Sequence, residues 1–158
     1  MALNKGKKFE SIFENAWIKL FGSNSIFRLA DQMSGYKITS QNPCDYICFK
    51  KPRMFLIECK ETTQNTLNWK AFPQFDRLIN YVDAEGILAG VLIWYQSHGK
   101  VVFVSIKDCI KMKNSGKKSI NIKDLENSDY NILDIPVTIP RVYPIMDIHP
   151  ITTLPEDW

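Results

Sequence analysis

The sequence lacks the features that mark membrane and secreted proteins. It contains no run of about 18 apolar residues that could form a transmembrane helix. Its basic N-terminus, MALNKGKKFE, is followed by no apolar stretch of signal-peptide length. These absences predict a cytoplasmic protein with no membrane partner, and a length of 158 residues predicts a single core.

Two kinds of ligand site are also missing from the sequence. Its four cysteines form no CxxC pair and its two histidines lie far from them in sequence, whereas structural zinc needs four suitable ligands. We therefore expect reduced thiols packed as small hydrophobic groups on strands. The segment Gly116–Ser119 resembles a phosphate loop, but Lys111 stands where the upstream glycine is required, so no nucleotide cofactor is expected.

The net charge of +3 conceals an uneven distribution. Residues 1–120 carry 18 basic and 10 acidic side chains, whereas residues 121–158 carry 2 and 7. The body of the chain is therefore suited to bind a polyanion. The tail is acidic and contains five of the eight prolines, so we expect an extended arm over 127–158 that forms neither a helix nor a central strand. It is predicted to lie along a domain spanning 1–126 or along a dimer partner.

Hydrophobic periodicity predicts an alternation of helices and strands before the arm. Residues 31–43 and 61–72 are polar and are predicted to be loops. Pro73 suits the first position of a helix. The predicted helices are Gly6–Leu20, Pro73–Ala84 and Lys107–Lys113, and the predicted strands are Ile26–Leu29, Asp45–Phe49, Arg53–Lys60, Ile87–Tyr95 and Val101–Ile106.

The hairpin of Asp45–Phe49 and Arg53–Lys60 contains the charged residues of greatest interest. Glu58 and Lys60 lie two residues apart on a strand, so they project from the same face. If the turn is centred between Lys51 and Pro52, Asp45 faces Glu58 directly. Because proline is disfavoured at the second corner of a type I turn, this register is conditional on the loop not being wider.

Two facing carboxylates repel and stay ionised together only if a cation lies between them. Oxygen ligands favour Mg²⁺ or Mn²⁺, and a neighbouring lysine offsets charge that develops on a phosphate. Asp45, Glu58 and Lys60 therefore suit phosphodiester hydrolysis. The same spacing also fits a surface strand with an ordinary Glu58–Lys60 ion pair.

The first predicted helix carries further candidates. Glu10 flanks its apolar stripe and could point towards the same metal, although a solvated first-turn glutamate is the simpler interpretation. The lysines at positions 5, 7 and 8 oppose the helix dipole, which suits neighbouring phosphates or equally a frayed terminus.

Taken together, the segments resemble the Holliday junction resolvases of the PD-(D/E)xK nuclease superfamily. They are most similar to the RecU type of Gram-positive bacteria and their phages, and next to the archaeal Hjc resolvases. The segments are NKGKKFE (Asn4, Gly6, Glu10), PCDY (Pro43, Asp45), IECKET (Glu58, Lys60), Gln74, EGI (Glu85–Ile87) and GKKSI (Gly116–Ile120).

This resemblance implies an α/β fold with a restriction-endonuclease-like mixed central sheet flanked by helices. It implies Asp45 and Glu58 as Mg²⁺ ligands and Lys60 as the catalytic lysine. It also assigns Glu10 and Gln74 to the active site, Arg28 to a position near the scissile phosphate, and Lys118 to the DNA face. RecU proteins have a longer insertion before the metal aspartate, which forms a stalk that enters the junction. In this sequence the shorter loop Asp31–Gln41 is expected to serve the same role on a smaller scale.

The activity implied is that of a homodimer that binds four-way DNA junctions and nicks two opposed strands symmetrically. Two alternatives stay open at this point. A restriction-like or repair nuclease would act on duplex or flap DNA with the same residues, and a DNA-binding module would lack catalysis altogether.

Overall fold

A computed structural model of the protein describes residues 5–29 and 41–158. The predicted loop at 31–43, with the stalk-like segment Asp31–Gln41, lies outside these ranges except for its last three positions. In the described part of the chain, no helix is both long and apolar enough to span a membrane.

Helix α1 (Lys5–Phe21) exceeds the predicted Gly6–Leu20 by one residue at each end. Its apolar residues recur at three- and four-residue intervals, so Phe9, Phe13 and Trp17 form one buried face. That face packs on the central sheet and positions Glu10, which follows directly after Phe9.

The predicted antiparallel hairpin is present and consists of β2 (Tyr46–Lys50) and β3 (Arg53–Thr62). Tyr46 pairs with Ile57, which is the predicted register. The turn has two residues, joined by a cis Lys51–Pro52 peptide bond. Cis proline at the second corner belongs to a type VI turn, so the tight connection forms although a type I turn is disfavoured there.

The hairpin is part of a six-stranded mixed sheet, whose other strands are β1 (Ile26–Arg28), β5 (Ile87–Tyr95), β6 (Lys100–Ser105) and β8 (Ile132–Ile135). The strand order is β1-β2-β3-β5-β6-β8. β3 and β5 run parallel, and every other neighbouring pair is antiparallel. β5 is the predicted buried strand, with a neighbour on each side.

Helices cover both faces of the sheet, as predicted. On one face α1 packs against Phe55 and Ile57. On the other face α2 (Phe75–Leu78) and α3 (Ile106–Asn114) enclose a second core that includes Leu56. Because side chains alternate along a strand, Glu58 and Lys60 share the face of Leu56.

Two predictions for the polar middle of the chain are wrong in part. Residues 61–72 are not all loop, since β3 continues to Thr62 and β4 (Thr66–Asn68) pairs with β7 (Ser119–Asn121) in a separate two-stranded sheet. Pro73 is not the first helical residue, because Gln74 caps α2. The predicted helix there is a single turn followed by a 3₁₀ turn at Ile79–Tyr81.

The proline-rich tail is more regular than predicted. β8 completes the edge of the central sheet beside β6, and β9 (Val137–Thr138) pairs with β10 (Ile145–Met146). The exclusion of helix was wrong, because α4 (His149–Thr152) accommodates a proline in its first turn, where no backbone donor is required.

The tail packs on the domain of its own chain. The side chain of Arg53 donates hydrogen bonds to the carbonyl oxygens of Leu154 and Pro155. The ring of Trp158 stacks on Phe103, with 6.0 Å between centroids. The tail therefore closes the core on the α1 face.

The four cysteines are buried and form no disulfide. Cys48 and Cys59 lie on strands as predicted, whereas Cys44 precedes β2 and Cys109 lies on α3, and both of these face the second core. Burial raises the pKa of the Cys44 thiol to about 12, so the thiol stays protonated at neutral pH.

Candidate active site

The hairpin register brings Asp45 and Glu58 together. Tyr46 opposes Ile57, and one further step along the antiparallel ladder places Asp45 opposite Glu58. The backbone N–H of Cys59 donates a hydrogen bond of 2.8 Å to Oδ2 of Asp45. The hairpin register thus places two carboxylates side by side where β2 begins.

Glu58 is the most unusual charged residue of the site. Only 1% of its surface is exposed, and apart from the ion pair with Lys60 neither of its oxygens accepts a hydrogen bond from the described residues. Burial above all, and then the Asp45 carboxylate, raise the pKa of Glu58 to about 8. The carboxylate is therefore poised to bind a proton or another cation.

Lys60 provides a positive charge at this carboxylate. Its Nζ lies 2.8 Å from Oε1 of Glu58, and 21% of the lysine side chain is exposed. The ammonium opposes the rise in the pKa of Glu58 but does not cancel it. Because the lysine is partly exposed and the glutamate is buried, Lys60 can meet a ligand from solvent while contacting Glu58. Because Glu58 is buried, this contact is not the surface ion pair that the sequence left open.

Glu10 approaches the same carboxylates from α1. Its charge is a further cause of the raised pKa of Glu58, so the two groups are close enough to interact. Oε2 of Glu10 forms an ion pair of 2.6 Å with the guanidinium of Arg28 on β1. The pair connects the helix to the edge of the sheet, and 38% of the Arg28 side chain is exposed to solvent.

Gln74 immediately precedes α2, on the face of the sheet that carries Glu58. Its Oε1 is buried and accepts no hydrogen bond from the described residues. Leaving a buried acceptor without a donor costs about 1–3 kcal/mol. The side chain is therefore suited to accept a hydrogen bond from a bound water or ligand.

The predicted DNA-binding lysines are dispersed. Lys7 and Lys8 are exposed on the first turns of α1, and Lys118 is exposed just before β7. The side chain of Lys5 lies outside the described residues. α1 has no acidic residue in its first turn, so nothing there offsets its positive N-terminal dipole.

The donor chemistry fits a small divalent cation. Within residues 5–29 and 41–158, no three or more histidine, cysteine or acidic side chains are grouped as a metal site. Mg²⁺ needs no such cage, because it binds through one or two carboxylates and takes its other ligands from water and substrate phosphates. Asp45 and the unpaired oxygen of the buried Glu58 would supply that minimal set.

Two features of the site had no signal in the sequence. The Cys59 N–H that holds Asp45 is a backbone donor, and only the strand register reveals it. The Glu10–Arg28 ion pair joins residues that lie 18 positions apart on different elements. A pattern of residue types within one element could not predict either contact.

Comparison with known proteins gives one family match and a weak structural likeness. The family model described as RecU, recombination protein U, matches residues 26–146. A solved structure of Hjc from Archaeoglobus fulgidus, a Holliday junction resolvase, is 20% identical in sequence and has a TM-score of 0.42. That match covers 65% of this chain and 78% of the archaeal chain. No curated protein sequence matches the chain significantly.

Proposed function

The chain belongs to the RecU family of recombination proteins, and we propose that it is a Mg²⁺-dependent endonuclease that resolves four-way DNA junctions. The observation that carries the proposal is the Glu58 carboxylate, which is buried, faces Asp45 and has Lys60 as its ion-pair partner among the described residues. One ammonium does not compensate two facing carboxylates, and a metal ion bound with a phosphate ester would supply the missing positive charge.

Asp45 and Glu58 would hold the Mg²⁺, with Mn²⁺ as a substitute. The bound metal would act as a Lewis acid on the scissile phosphate and lower the pKa of a water molecule. The protein contributes the orientation of its ligands, because the Cys59 N–H fixes Asp45 and the surrounding core fixes Glu58.

Four other side chains support the reaction in this proposal. Lys60 offsets negative charge that develops on the phosphate in the transition state. Glu10 holds the guanidinium of Arg28, which then contacts a phosphate beside the scissile bond. Gln74 orients a water through its buried Oε1.

The DNA-binding surface proposed here consists of Lys5, Lys7, Lys8, Arg28 and Lys118. Charged side chains of this kind bind phosphates without reading sequence. Substrate choice then depends on the shape of the branched DNA.

Two cuts in opposed strands require two active sites. We therefore include a homodimer in the proposal, with one site on each side of the junction and paired symmetric nicks as the outcome. Sedimentation of the protein with and without a synthetic junction would test this part independently of catalysis.

The decisive experiment compares cleavage of a synthetic four-way junction with that of linear duplex of the same sequence, with Mg²⁺ and with EDTA. We expect symmetric nicks in the junction only, and only with Mg²⁺. The variants Asp45→Asn and Glu58→Gln should lose at least about 10³-fold in cleavage rate while they keep DNA affinity. The exposed carboxylate of Asp134, paired with Lys100 on the far edge of the sheet, provides the matched control Asp134→Asn.

The other outcomes each contradict a different part of the proposal. Equal cutting of both substrates would contradict junction selectivity and leave a general nuclease. Cutting in EDTA would contradict the metal requirement. Binding without cleavage by the wild-type protein would indicate a non-catalytic DNA-binding module.

A further inference from the structure

The loop between β9 and β10 exposes apolar side chains beside the α1 face. This loop, residues 139–144 with the sequence IPRVYP, is called the β9–β10 loop below. Val142 is 67% exposed, Tyr143 42% and Ile139 37%. Prolines at 140 and 144 restrict the backbone around them. Hydrophobic groups are therefore held at the surface by a stiff segment of chain.

The ring of Tyr143 is fixed in place by two neighbours. Its centroid lies 6.3 Å from that of Trp94, which in turn packs at 5.7 Å from Phe9 of α1. The Nζ of Lys8 lies over the Tyr143 ring, 5.3 Å from its centroid. An exposed aromatic ring with its position set by the core loses little conformational entropy when a ligand binds to it.

The position of this ring relates it to the catalytic residues. In the parallel register of β3 and β5, Lys60 is opposite Ile93, and the next pair is Glu61 with Trp94. Tyr143 thus lies beyond Trp94 at the same end of the sheet as Lys60, on the α1 face. A nucleic acid bound at Lys60 that extends around this end of the sheet meets the ring.

The local charge favours nucleic acid. The β9–β10 loop contains Arg141, which is the only basic residue after Lys123, and it contains no acidic residue. Lys7 and Lys8 are exposed on the neighbouring turn of α1. Although the tail as a whole is acidic, this part of it is positive. An aromatic platform with lysine and arginine around it is the combination that binds unpaired bases and their phosphates.

We propose that Tyr143 stacks on an unpaired nucleobase of the DNA substrate, with Val142 against the same base and Lys8 and Arg141 near its flanking phosphates. The inference deepens the proposed function and rests on it for the identity of the substrate as DNA. At a branch point base stacking is already interrupted, so a base there is extruded at a lower free-energy cost than a base in continuous duplex.

The test measures base stacking directly, in EDTA, with 2-aminopurine placed at the branch point of a four-way junction. We expect wild-type protein to change the fluorescence of the probe, and the variant Tyr143→Phe to do the same. Tyr143→Ala should lose the change and bind the junction about 5- to 100-fold more weakly. Ile145→Ser, at an apolar position just beyond the loop that is also exposed, is the control.

A second measurement uses only the wild-type protein, so it does not depend on the folding of a variant. Iododeoxyuridine at the branch point is cross-linked by light, and the cross-linked peptide is identified by mass spectrometry. A cross-link at Tyr143 supports the inference. A cross-link elsewhere, or an unchanged fluorescence response in Tyr143→Ala, overturns it.

Two further outcomes distinguish base stacking by Tyr143 from a role in dimerisation and from the nuclease proposal. If Tyr143→Ala converts a dimer to a monomer on size exclusion, the ring belongs to a protein interface and the inference is overturned. If the wild-type protein cleaves no DNA but gives the fluorescence response and the cross-link, the nuclease proposal fails while base stacking by Tyr143 stands.

Discussion

Lys60 contacts Glu58 across one intervening residue of β3, with Nζ 2.8 Å from Oε1. The two partners differ in burial, because the lysine is partly exposed while the glutamate is buried. Despite the contact, the pKa of Glu58 is still raised. One ammonium therefore does not compensate two neighbouring carboxylates. The same excess of buried negative charge should therefore affect both the free energy of unfolding and the binding of a metal cation.

Stability should depend on pH through Glu58 when no metal is bound. Folding raises the pKa of Glu58 from 4.5 to about 8, so between these values the folded chain holds a proton that the unfolded chain releases. This group therefore lowers the free energy of unfolding progressively as pH rises from about 4.5 to about 8, and the effect is complete above that range. Its size is at most about 5 kcal/mol.

The variant Glu58→Gln should remove this dependence. In urea unfolding with EDTA, we expect the variant to be more stable than wild type at pH 8 and to lose this advantage near pH 4.5. The surface variant Glu126→Gln is the control. Equal free energies of unfolding for wild type and Glu58→Gln across the whole range would contradict the burial of an uncompensated carboxylate.

Mg²⁺ should stabilise the folded protein at pH 8. A cation that binds the folded state alone raises its free energy of unfolding by about 2.7 kcal/mol at one hundred times the dissociation constant. Thermal unfolding with and without Mg²⁺ measures the effect without any DNA. The increase should disappear in Asp45→Asn and Glu58→Gln, and an increase that persists in both would place the metal elsewhere.

Lys60→Met should separate catalysis from binding. The variant keeps the length of the side chain but removes the charge that offsets the developing negative charge of the transition state. We expect single-turnover cleavage to fall by about 10²-fold or more with little change in DNA affinity. Lys19→Met, near the other end of α1, is the matched control. A variant that cuts at the wild-type rate would leave Lys60 with a structural role only.

The salt dependence of DNA binding should identify the lysines at the start of α1 as phosphate contacts. Each phosphate neutralised on duplex DNA contributes roughly −0.9 to the slope of log affinity against log salt concentration. The double variant Lys7→Gln, Lys8→Gln should therefore reduce the slope by about 2. The slope is measured by fluorescence anisotropy between about 50 and 200 mM salt. An unchanged slope would place these lysines away from the DNA.

The hairpin was predictable from sequence because local rules determine it. Only Lys50, Lys51 and Pro52 separate two largely apolar runs, which leaves room for only a short turn, so the register that faces Asp45 with Glu58 follows. The apolar neighbours Leu56 and Ile57 indicated a buried strand around Glu58. A charged residue in such a strand is unusual and therefore marks a candidate site.

The parts that were not predictable depend on contacts between distant segments. β4 and β7 have three residues each and lie about fifty positions apart, so neither shows a periodicity of its own. Their pairing is supported by the Trp69 side chain, which donates a hydrogen bond of 2.7 Å to the Lys117 carbonyl. Proline content likewise predicted an extended tail but could not predict β8, whose edge position in the sheet depends on β6.

The last prediction concerns the attachment of the tail to the domain. Arg53 is 9% exposed, and its guanidinium donates hydrogen bonds to the carbonyls of Leu154 and Pro155. Arg53→Met should therefore lower the free energy of unfolding by about 1–3 kcal/mol, because two carbonyl oxygens lose a charged donor. It should also release the end of the tail for cleavage by a protease.

Arg141→Met, on the exposed β9–β10 loop, is the control for loss of an arginine. Unfolding in urea and limited proteolysis with mass spectrometry measure both effects. If the tail stays as resistant as in wild type, the stacking of Trp158 on Phe103 is sufficient to hold it, and Trp158→Ala should then release it.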